Sequence, residues 1–363
     1  MLPWIWGLIG AAWPGLGSTT PADPAALAVM KAPATLADVG LAALVGYALR
    51  ARPGWAVAGV VAVLVVPATW YVSAWWGQFE SLYVLPMLVA WALVVRGRPN
   101  WAAVAIAIGL MTKPQALPLA IPFAAYYVRR YGLGGSTRAV AVAVAVAAGL
   151  WAPFLAAGGL ANYLRSLADY SDLFSVLSLR AWNPWWILSD LAGGGQLVTD
   201  DVPIVGPVTL RWVGVAIAGL VGLAIFAWVW RRPTATGLAW GLTAASLSAF
   251  IGLTAMHERY AYPALVFLIL CWPDRLAVWT WAVLAVTVSL NLVAAVPPGG
   301  GPGTVVPIGG PVGVVASIVM TAAFAAVLVG LRRVDSSLAA GDGTGREGPR
   351  STSGGSAAAT SGA

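Results

Sequence analysis

Three short polar clusters interrupt apolar stretches of the chain. The first ends in Glu80, the second contains Lys113, and the third, at 257–260, reads His-Glu-Arg-Tyr. A carboxylate can bind sugar hydroxyls or a cation, a lysine binds phosphate as a point charge, and an arginine clamps phosphate with two hydrogen bonds. Ionisable groups beside or within apolar spans are costly unless a partner or a ligand uses them. If the clusters meet, they predict a site for a charged ligand.

The first cluster combines residue types that bind sugars. Trp76, Gly77, Gln78 and Glu80 lie within five positions, and Gly77 allows a tight turn. Amide and carboxylate groups bond sugar hydroxyls, and an indole face packs on the C–H surface of the ring. The alternative is an aromatic belt followed by an acidic residue that favours the dipole at a helix start.

The other two clusters each have a functional and a structural interpretation. Lys113, followed closely by Gln115, can bind a phosphate, pair with Glu80, or extend its ammonium group to the interface as a purely structural lysine. His257 is the only histidine and a possible acid or base. Glu258 and Arg259 can bind a hydroxyl, a divalent cation or a phosphate, or they can simply pair within a polar turn.

Two more polar residues stand in apolar surroundings. Asp38 lies inside an apolar helix, so we expect it to face the interior of the bundle, either in the site or in a structural interhelical bond. Asn183 lies in the run 182–186, Trp-Asn-Pro-Trp-Trp. Within a predicted interfacial helix at 181–191, these tryptophans favour a headgroup-level anchor, with a sugar or lipid platform as the alternative.

Composition places these clusters in a membrane. The chain has 363 residues, of which 60% are hydrophobic and 9% charged, whereas soluble domains carry roughly 25% charged residues. The apolar runs lack period-two alternation, which predicts an all-α polytopic protein. We expect about eleven spans (ten to twelve), near 35–49, 55–73, 80–95, 100–112, 114–128, 139–158, 209–230, 235–255, 260–273, 277–296 and 312–331.

The basic residues predict the orientation. Most of the 20 Lys and Arg residues fall in alternate connections, which the positive-inside rule assigns to the cytoplasm. All three polar clusters then lie on the extracytoplasmic side of a cell membrane. The predicted regions are an N-terminal apolar segment (1–34), a helical bundle (35–331) with an outer loop (159–208), and a disordered cytoplasmic tail (332–363). No phosphate-binding glycine loop, HExxH motif or nucleophile elbow is present, and the basic charge does not indicate nucleic acid.

In their order along the chain, the clusters resemble the GT-C glycosyltransferases of bacteria, and within them proteins similar to the GPI-anchor mannosyltransferases. The resemblance covers about 30–275 and is moderately specific. It is carried by Lys31 and Asp38, then by the runs 76–80 (Trp-Gly-Gln-Phe-Glu), 109–115 (Gly-Leu-Met-Thr-Lys-Pro-Gln), 181–186 and 256–260 (Met-His-Glu-Arg-Tyr).

The resemblance implies an inverting enzyme with a GT-C-like bundle. It would move a hexose, with mannose as the first choice, from a polyprenyl-phosphate carrier to a glycolipid or glycan acceptor. Cofactors are not implied firmly, although a divalent cation is compatible. Glu80 stands where the family has Asp, and the segment before Lys31 does not resemble the family's first helix and acidic loop. Asp23 is the only acid there and a weak candidate for the base, so a truncated or inactive member stays open.

A second functional class is compatible with the same residues. A transporter or flippase for a lipid-linked sugar also holds polar groups inside a helical bundle. Transporters place these groups near the midplane, often between inverted repeats, whereas here they lie at helix ends and no repeat is evident. A non-catalytic subunit is a third interpretation. For the enzyme, Glu80 and Glu258 are expected to bind sugar or a cation rather than to act as the base.

Overall fold

The computed structural model describes residues 2–18, 23–194 and 196–334, and most of them are helical. The helices in chain order are α1 (Leu2–Ala12), α2 (Pro24–Ala48), α3 (Pro53–Val65), α4 (Pro67–Trp70), α5 (Glu80–Val94), α6 (Pro99–Thr112), α7 (Ala120–Ala156), α8 (Gly159–Leu173), α9 (Pro184–Gly193), α10 (Leu210–Arg231), α11 (Ala235–Gly252), α12 (Tyr262–Ile269), α13 (Arg275–Ala295) and α14 (Gly310–Arg333).

The remaining elements are short. They are a π-helical turn (Tyr71–Trp75), 3₁₀ turns (Pro14–Ser18, Pro114–Leu119, Glu258–Ala261) and the strands β1 (Ser178–Leu179), β2 (Pro203–Val205), β3 (Val208–Thr209) and β4 (Met256–His257). β1 pairs with β4 in parallel, and β2 pairs with β3 antiparallel. The parallel pair joins two segments far apart in sequence, and it carries one of the predicted site residues, His257.

Helix starts follow local chemistry. Proline occupies the first or second position of α2, α3, α6 and α9, where its missing N–H is not needed. Side-chain oxygens of Asp23, Asn183, Thr234 and Asp274 accept backbone N–H groups in the first turns of α2, α9, α11 and α13. Each cap satisfies a donor that the helix itself leaves unpaired.

The centre of the bundle is formed by α11 and α12. All eight residues of α12 are buried, as are most residues of α11. Small residues allow the neighbouring helices to approach closely: a Cβ added to Gly214 of α10 would lie 2.9 Å from the carbonyl oxygen of Gly252 in α11. The helices around this centre expose apolar faces, such as Leu220 and Leu223 on α10, each 68% exposed.

These features describe an all-α, multi-pass membrane protein. Among the described residues, six helices are long and apolar enough to cross a membrane, or seven if α3 and the segment after its 44° bend form one span. Each of the eleven predicted segments contains helix, but several of these helices are short, and α12 has only eight residues. The number of spans therefore stays a prediction.

α6 and α7 form a hairpin at Lys113. The hydroxyl of Tyr127, late in the first arm of α7, donates to the carbonyl of Pro99 at the start of α6, at 2.6 Å. Gly132 interrupts α7 with φ 68° and ψ −176°. The second arm, 133–156, runs back toward Lys113, as shown by Phe154, which lines a cavity together with Lys113. A glycine is required for this reversal, since other residues rarely adopt that φ.

The structure adds detail to the prediction at three places. α2 begins at Pro24, not near 35, because Asp23 caps it there. The helix predicted at 181–191 is present as α9, although it begins at Pro184, and α8 before it is the more amphipathic of the two. The side chains of Trp182, Trp185 and Trp186, predicted to lie at headgroup level, are buried within the protein. The predicted tail 332–363 lies outside the described residues from 335 onward.

Candidate functional site

Glu80 begins α5, and its side chain is fully buried. A tight turn immediately precedes this position. Gly77 in the turn has φ 82°, and a Cβ there would lie 3.3 Å from Cγ of Lys31. The ammonium group of Lys31 donates to the carbonyl of Trp75 at 2.5 Å and so ties the turn to α2. Lys31, which the resemblance includes without a role, therefore positions the carboxylate that follows.

The structure brings the three polar clusters together in one line of alternating charge. Lys113 Nζ lies 2.5 Å from Glu80 Oε1, and Arg259 Nε lies 3.2 Å from the same oxygen. Arg259 Nη1 donates to Glu258 Oε1 at 3.0 Å, and His257 Nδ1 lies 3.7 Å from Glu258 Oε2. We call Lys113, Glu80, Arg259, Glu258 and His257 the charged row.

Aromatic rings and an amide flank the row. The guanidinium carbon of Arg259 lies 4.7 Å from the ring centre of Trp76 and 5.3 Å from that of Tyr260. Lys113 Nζ lies 5.5 Å from the same Tyr260 ring. Gln115 Nε2 donates to the hydroxyl of Tyr260 at 3.0 Å. Both rings thus present π-electron density to Arg259 at distances where cation–π attraction is significant.

Burial and charge act against each other along the row. Burial lowers the pKa of Lys113, and the carboxylate of Glu80 partly opposes this. Burial also acts to raise the pKa of Glu258, but His257 and the positive charge of Arg259 outweigh it, so this pKa lies below its ordinary value. Burial raises the pKa of Tyr260 to about 12, so its phenol is neutral at physiological pH. The row is therefore held together by mutual neutralisation of buried charges.

Two buried oxygens at the row have no donor among the described residues: Oε2 of Glu80 and Oε1 of Gln115. A buried acceptor left unpaired costs about 1–3 kcal/mol. Hydroxyl groups of a ligand are donors that would satisfy both. Glu80 of the predicted sugar-binding cluster and Gln115 of the Lys113 cluster thus retain unused hydrogen-bonding capacity.

The backbone around His257 is strained. β4 pairs His257 with Leu179, and a further bridge joins His257 to Arg180. Arg180 has φ 67° and Ala255 has φ 56°, and among the described residues no other non-glycine residue has positive φ. Strained backbone of this kind clusters at functional sites. Because neither residue is glycine, the sequence does not predict these positive φ values.

A second ion-pair cluster fixes the segment that leads to His257. Asp200 is fully buried, and its carboxylate accepts from Arg211 Nη2 at 2.9 Å, from Arg211 Nε at 3.1 Å and from the Thr254 hydroxyl at 2.6 Å. Arg211 also donates to Ser175. This Asp200 cluster joins the 159–208 connection to α10 and to Thr254. Its acids and arginine are common in outer loops, so their pairing could not be predicted.

Four of the predicted site residues lie outside the charged row. Asp38 accepts hydrogen bonds from Ser73, Ser81 and Tyr262, which we call the Asp38 cluster. Asn183 is buried, donates to the carbonyl of Phe250 and caps α9. Asp23 caps α2.

Gln78, the fourth, is half-buried in the turn before Glu80. Its backbone N–H donates to the carbonyl of Val72.

Two adjoining apolar cavities lie near Lys113, which lines the second of them. The first, of about 430 Å³, lies between α6 and both arms of α7, and we call it the α6–α7 groove. The second, also of about 430 Å³, lies between α1, the ends of α6 and α7, and the start of α8; Lys113 and Trp4 line it, and we call it the Lys113 pocket. Leu110 and Met111 line both cavities, so the two adjoin. An elongated apolar ligand would fit here with its polar end at Lys113.

Metal ligands do not gather at this site. Within the described part of the chain, no group of three or more His, Cys, Asp or Glu side chains could hold a metal ion. Glu80 and Glu258 instead use their oxygens on Lys113 and Arg259. The divalent cation that the sequence leaves open therefore finds no ligand set among these residues.

No protein-family model matches the chain, and no curated protein does. The resemblance to GT-C glycosyltransferases accordingly rests on the residues quoted for it. The site geometry has to support a function by its own chemistry.

Proposed function

We propose that this protein is a membrane glycosyltransferase that moves a hexose, first of all mannose, from a polyprenyl-phosphate carrier to a glycolipid or glycan acceptor on the extracytoplasmic side. The observation that carries the proposal is the charged row, whose Lys113 lines an apolar cavity. A lipid-linked sugar phosphate has the matching parts: an apolar tail, one anionic group and a ring rich in hydroxyls.

The cations would bind the phosphate. Lys113 and Arg259 contact the same oxygen of Glu80, so they are close enough to share one phosphate group. Arginine presents a planar fork and lysine a compact point charge, a combination suited to phosphate oxygens. When the bond between sugar and phosphate breaks, negative charge grows on the leaving phosphate. Fixed cations in a buried site stabilise that charge and so lower the barrier.

The apolar cavities would hold the carrier. The α6–α7 groove is lined almost entirely by apolar side chains, among them Ile106, Phe123 and Val140. Burial of apolar surface contributes roughly 25 cal/mol per Å². A prenyl chain in this groove would direct its phosphate to Lys113, and the sugar would then meet the unpaired oxygens of Gln115 and Glu80.

The test is sugar transfer in membranes. Membranes containing the protein should move label from polyprenyl-phosphate-mannose to an endogenous glycolipid. Lys113→Ala and Arg259→Ala should abolish this, whereas Arg165→Ala, which removes an exposed arginine of α8, should retain it. Lys113→Arg and Arg259→Lys keep the charge and separate loss of a cation from loss of folding.

The outcomes also separate the competing functions. Full transfer by both alanine variants would remove the phosphate-binding assignment. Movement of the intact labelled carrier across the membrane without sugar transfer would favour a flippase. Binding of the carrier with neither transfer nor movement would favour a non-catalytic subunit.

A further inference from the structure

A further apolar cavity lies between α3 and α13, away from the charged row. Its volume is about 720 Å³, and among the described residues Ser289 supplies its only hydroxyl group. We call this cavity the α3–α13 groove. A volume of this size is within the range of about 300–1,000 Å³ that is typical of sites for small ligands. The side chains that form its two walls are Trp55, Val61 and Val65 on α3, and Trp281, Val286 and Leu290 on α13.

A bend in the chain creates the groove. The segment after α3 turns by 44° at a proline, which is a common cause of sharp kinks. Beyond the bend the chain packs on α13, where the N–H of Ala68 donates to the hydroxyl of Ser289 at 3.1 Å. Before the bend, Trp272 lies between the walls, and its ring centre is 5.7 Å from that of Trp55 and 5.3 Å from that of Trp281. The groove is therefore a wedge, closed at the bend and held open at Trp272.

The groove opens sideways and has the length of one leaflet. Val61, Val65 and Val286 are exposed, so a lipid chain can enter from the bilayer. From Trp55 to Val65, α3 rises by about 15 Å, and the hydrocarbon core of a bilayer is about 30 Å thick. A transmembrane helix would continue past the closed end, whereas an acyl chain of one leaflet ends there. The dimensions therefore favour an acyl chain.

Two arginines lie at the open end of the groove. Arg52 precedes α3, with Nη1 3.5 Å from the carbonyl oxygen of Trp272, and Arg275 begins α13. Both residues are exposed, and neither forms an ion pair with another described residue. The neighbouring acid, Asp274, uses its carboxylate to accept the N–H of Ala277. The positive-inside rule assigns this end to the cytoplasmic leaflet, whose anionic lipids attract arginines.

We infer that the α3–α13 groove binds one anionic phospholipid, with an acyl chain along the wedge and the phosphate at Arg52 and Arg275. Such a lipid would fill the space that the bend leaves open and so fix α3 against α13. The site is separate from the charged row, because α2 carries Lys31 at the row and ends at Ala48, about 25 Å further along its axis. The inference therefore does not depend on the proposed sugar transfer.

The test is site-specific labelling of the purified full chain in detergent. The probe is phosphatidylglycerol with a photoactivatable diazirine at the end of one acyl chain, and mass spectrometry maps the labelled positions. We expect labels near Val65 and Leu290, where the end of the chain would lie. Unlabelled phosphatidylglycerol should displace the probe at a concentration about tenfold lower than phosphatidylcholine, because the two arginines attract its net negative charge.

Variants separate the headgroup from the acyl chain. Arg52→Gln combined with Arg275→Gln should raise the phosphatidylglycerol concentration for half displacement about tenfold, to that of phosphatidylcholine. Arg98→Gln, which removes an exposed arginine between α5 and α6, is the matched control and should match wild type. Val61→Trp fills the groove and should prevent labelling, whereas Leu64→Trp, at an exposed position of α3 outside the groove, should not.

The alternatives give different results, and each would overturn the inference. Equal displacement by the two lipids, or an unchanged value in the double arginine variant, would mean that any membrane lipid fills the groove. Labels elsewhere on the chain, or no labels, would exclude the site. If a second copy of the chain covers the groove, wild type should be dimeric in detergent and Val61→Trp monomeric. Should Val61→Trp not fold, the double arginine variant still decides, because both arginines are exposed.

Discussion

Two buried carboxylates, Asp38 on α2 and Glu80 at the start of α5, are held in different ways. Asp38 accepts from three hydroxyl groups, those of Ser73, Ser81 and Tyr262, and both of its oxygens are used. Glu80, one residue before Ser81, contacts two cations through one oxygen, and its other oxygen has no donor among the described residues.

The difference separates a structural joint from a site. The Asp38 cluster connects α2, the π-helical turn, α5 and α12 through neutral hydroxyl donors, and both oxygens of the carboxylate accept from them. The charged row has two cations on one carboxylate oxygen, an acceptor without a donor among the described residues, and an apolar cavity beside it. Burial of an acidic residue therefore does not identify function in this bundle; the kind of partner and the unused capacity do.

The largest effect is expected from Lys113→Met, which leaves Glu80 with one cation. Transfer should fall by at least about 100-fold, as for loss of one fixed donor to a developing charge. The variant should also lose about 3–5 kcal/mol of stability, because a buried ion pair is broken on one side. Transfer assays and thermal unfolding in detergent measure the two effects. Wild-type values in both would mean that the row is neither a site nor a stable pair.

Asp38→Asn should separate stability from chemistry. The amide cannot accept at both positions, so one hydroxyl loses its acceptor, at a cost of about 1–3 kcal/mol. Specific transfer by the folded fraction should stay within about twofold of wild type, as for an independent site. Ser246→Ala is the matched control, since that buried hydroxyl bonds only within α11. Loss of transfer with unchanged stability would place Asp38 in the site after all.

Asp200→Asn should loosen the segment that leads to His257. Asp200 is fully buried, although Arg211 is 34% exposed, so we expect a loss of about 1–3 kcal/mol. Limited proteolysis should cut more rapidly within 196–209. Asp201→Asn is the control: this carboxylate contacts the same arginine but is 53% exposed, and exposed pairs contribute little. Equal sensitivity of both variants would contradict the role of burial.

The smallest expected effect is the acid dependence that Glu258 adds. Its pKa is lower in the folded protein, so its charge stabilises the fold above the ordinary pKa of a glutamate, and this contribution is lost as pH falls through the lowered value. Thermal unfolding of wild type and Glu258→Gln should be measured from pH 7 down to about pH 4. The difference between their melting temperatures should become smaller as the pH falls. A gap independent of pH would mean that the charge of Glu258 is not what the row uses.

Much of the fold could be predicted because lipid permits few backbone arrangements. Apolar runs between polar connections specify helices, and each predicted segment contains one. The details depended on single residues. The positive φ of Gly132 reverses the direction of the chain within α7, and the cap by Asp23 starts α2 at Pro24. Trp182 and Trp186 looked like interface anchors, but both indoles donate to the carbonyl of Ile308, which the sequence alone does not reveal.

The site could be predicted in part. Ionisable residues at helix ends stand out in an apolar chain, and Glu80, Lys113 and Arg259 are in contact in the structure. Their order along the row was not predictable, because it depends on side-chain directions. Ser73, Ser81 and Tyr262 gave no signal either, since single hydroxyls are common in apolar helices. The pairing of β1 with β4 joins distant segments and needs the whole bundle to form.

The charged row has no net formal charge when His257 is neutral, because Lys113 and Arg259 balance Glu80 and Glu258. A membrane potential does work only on net charge that moves, about 2.3 kcal/mol per elementary charge per 100 mV. Small displacements of the row as a unit would therefore be insensitive to voltage. Any electrical dependence of this protein would arise from the charge that a ligand brings, and not from the four ionised groups that receive it.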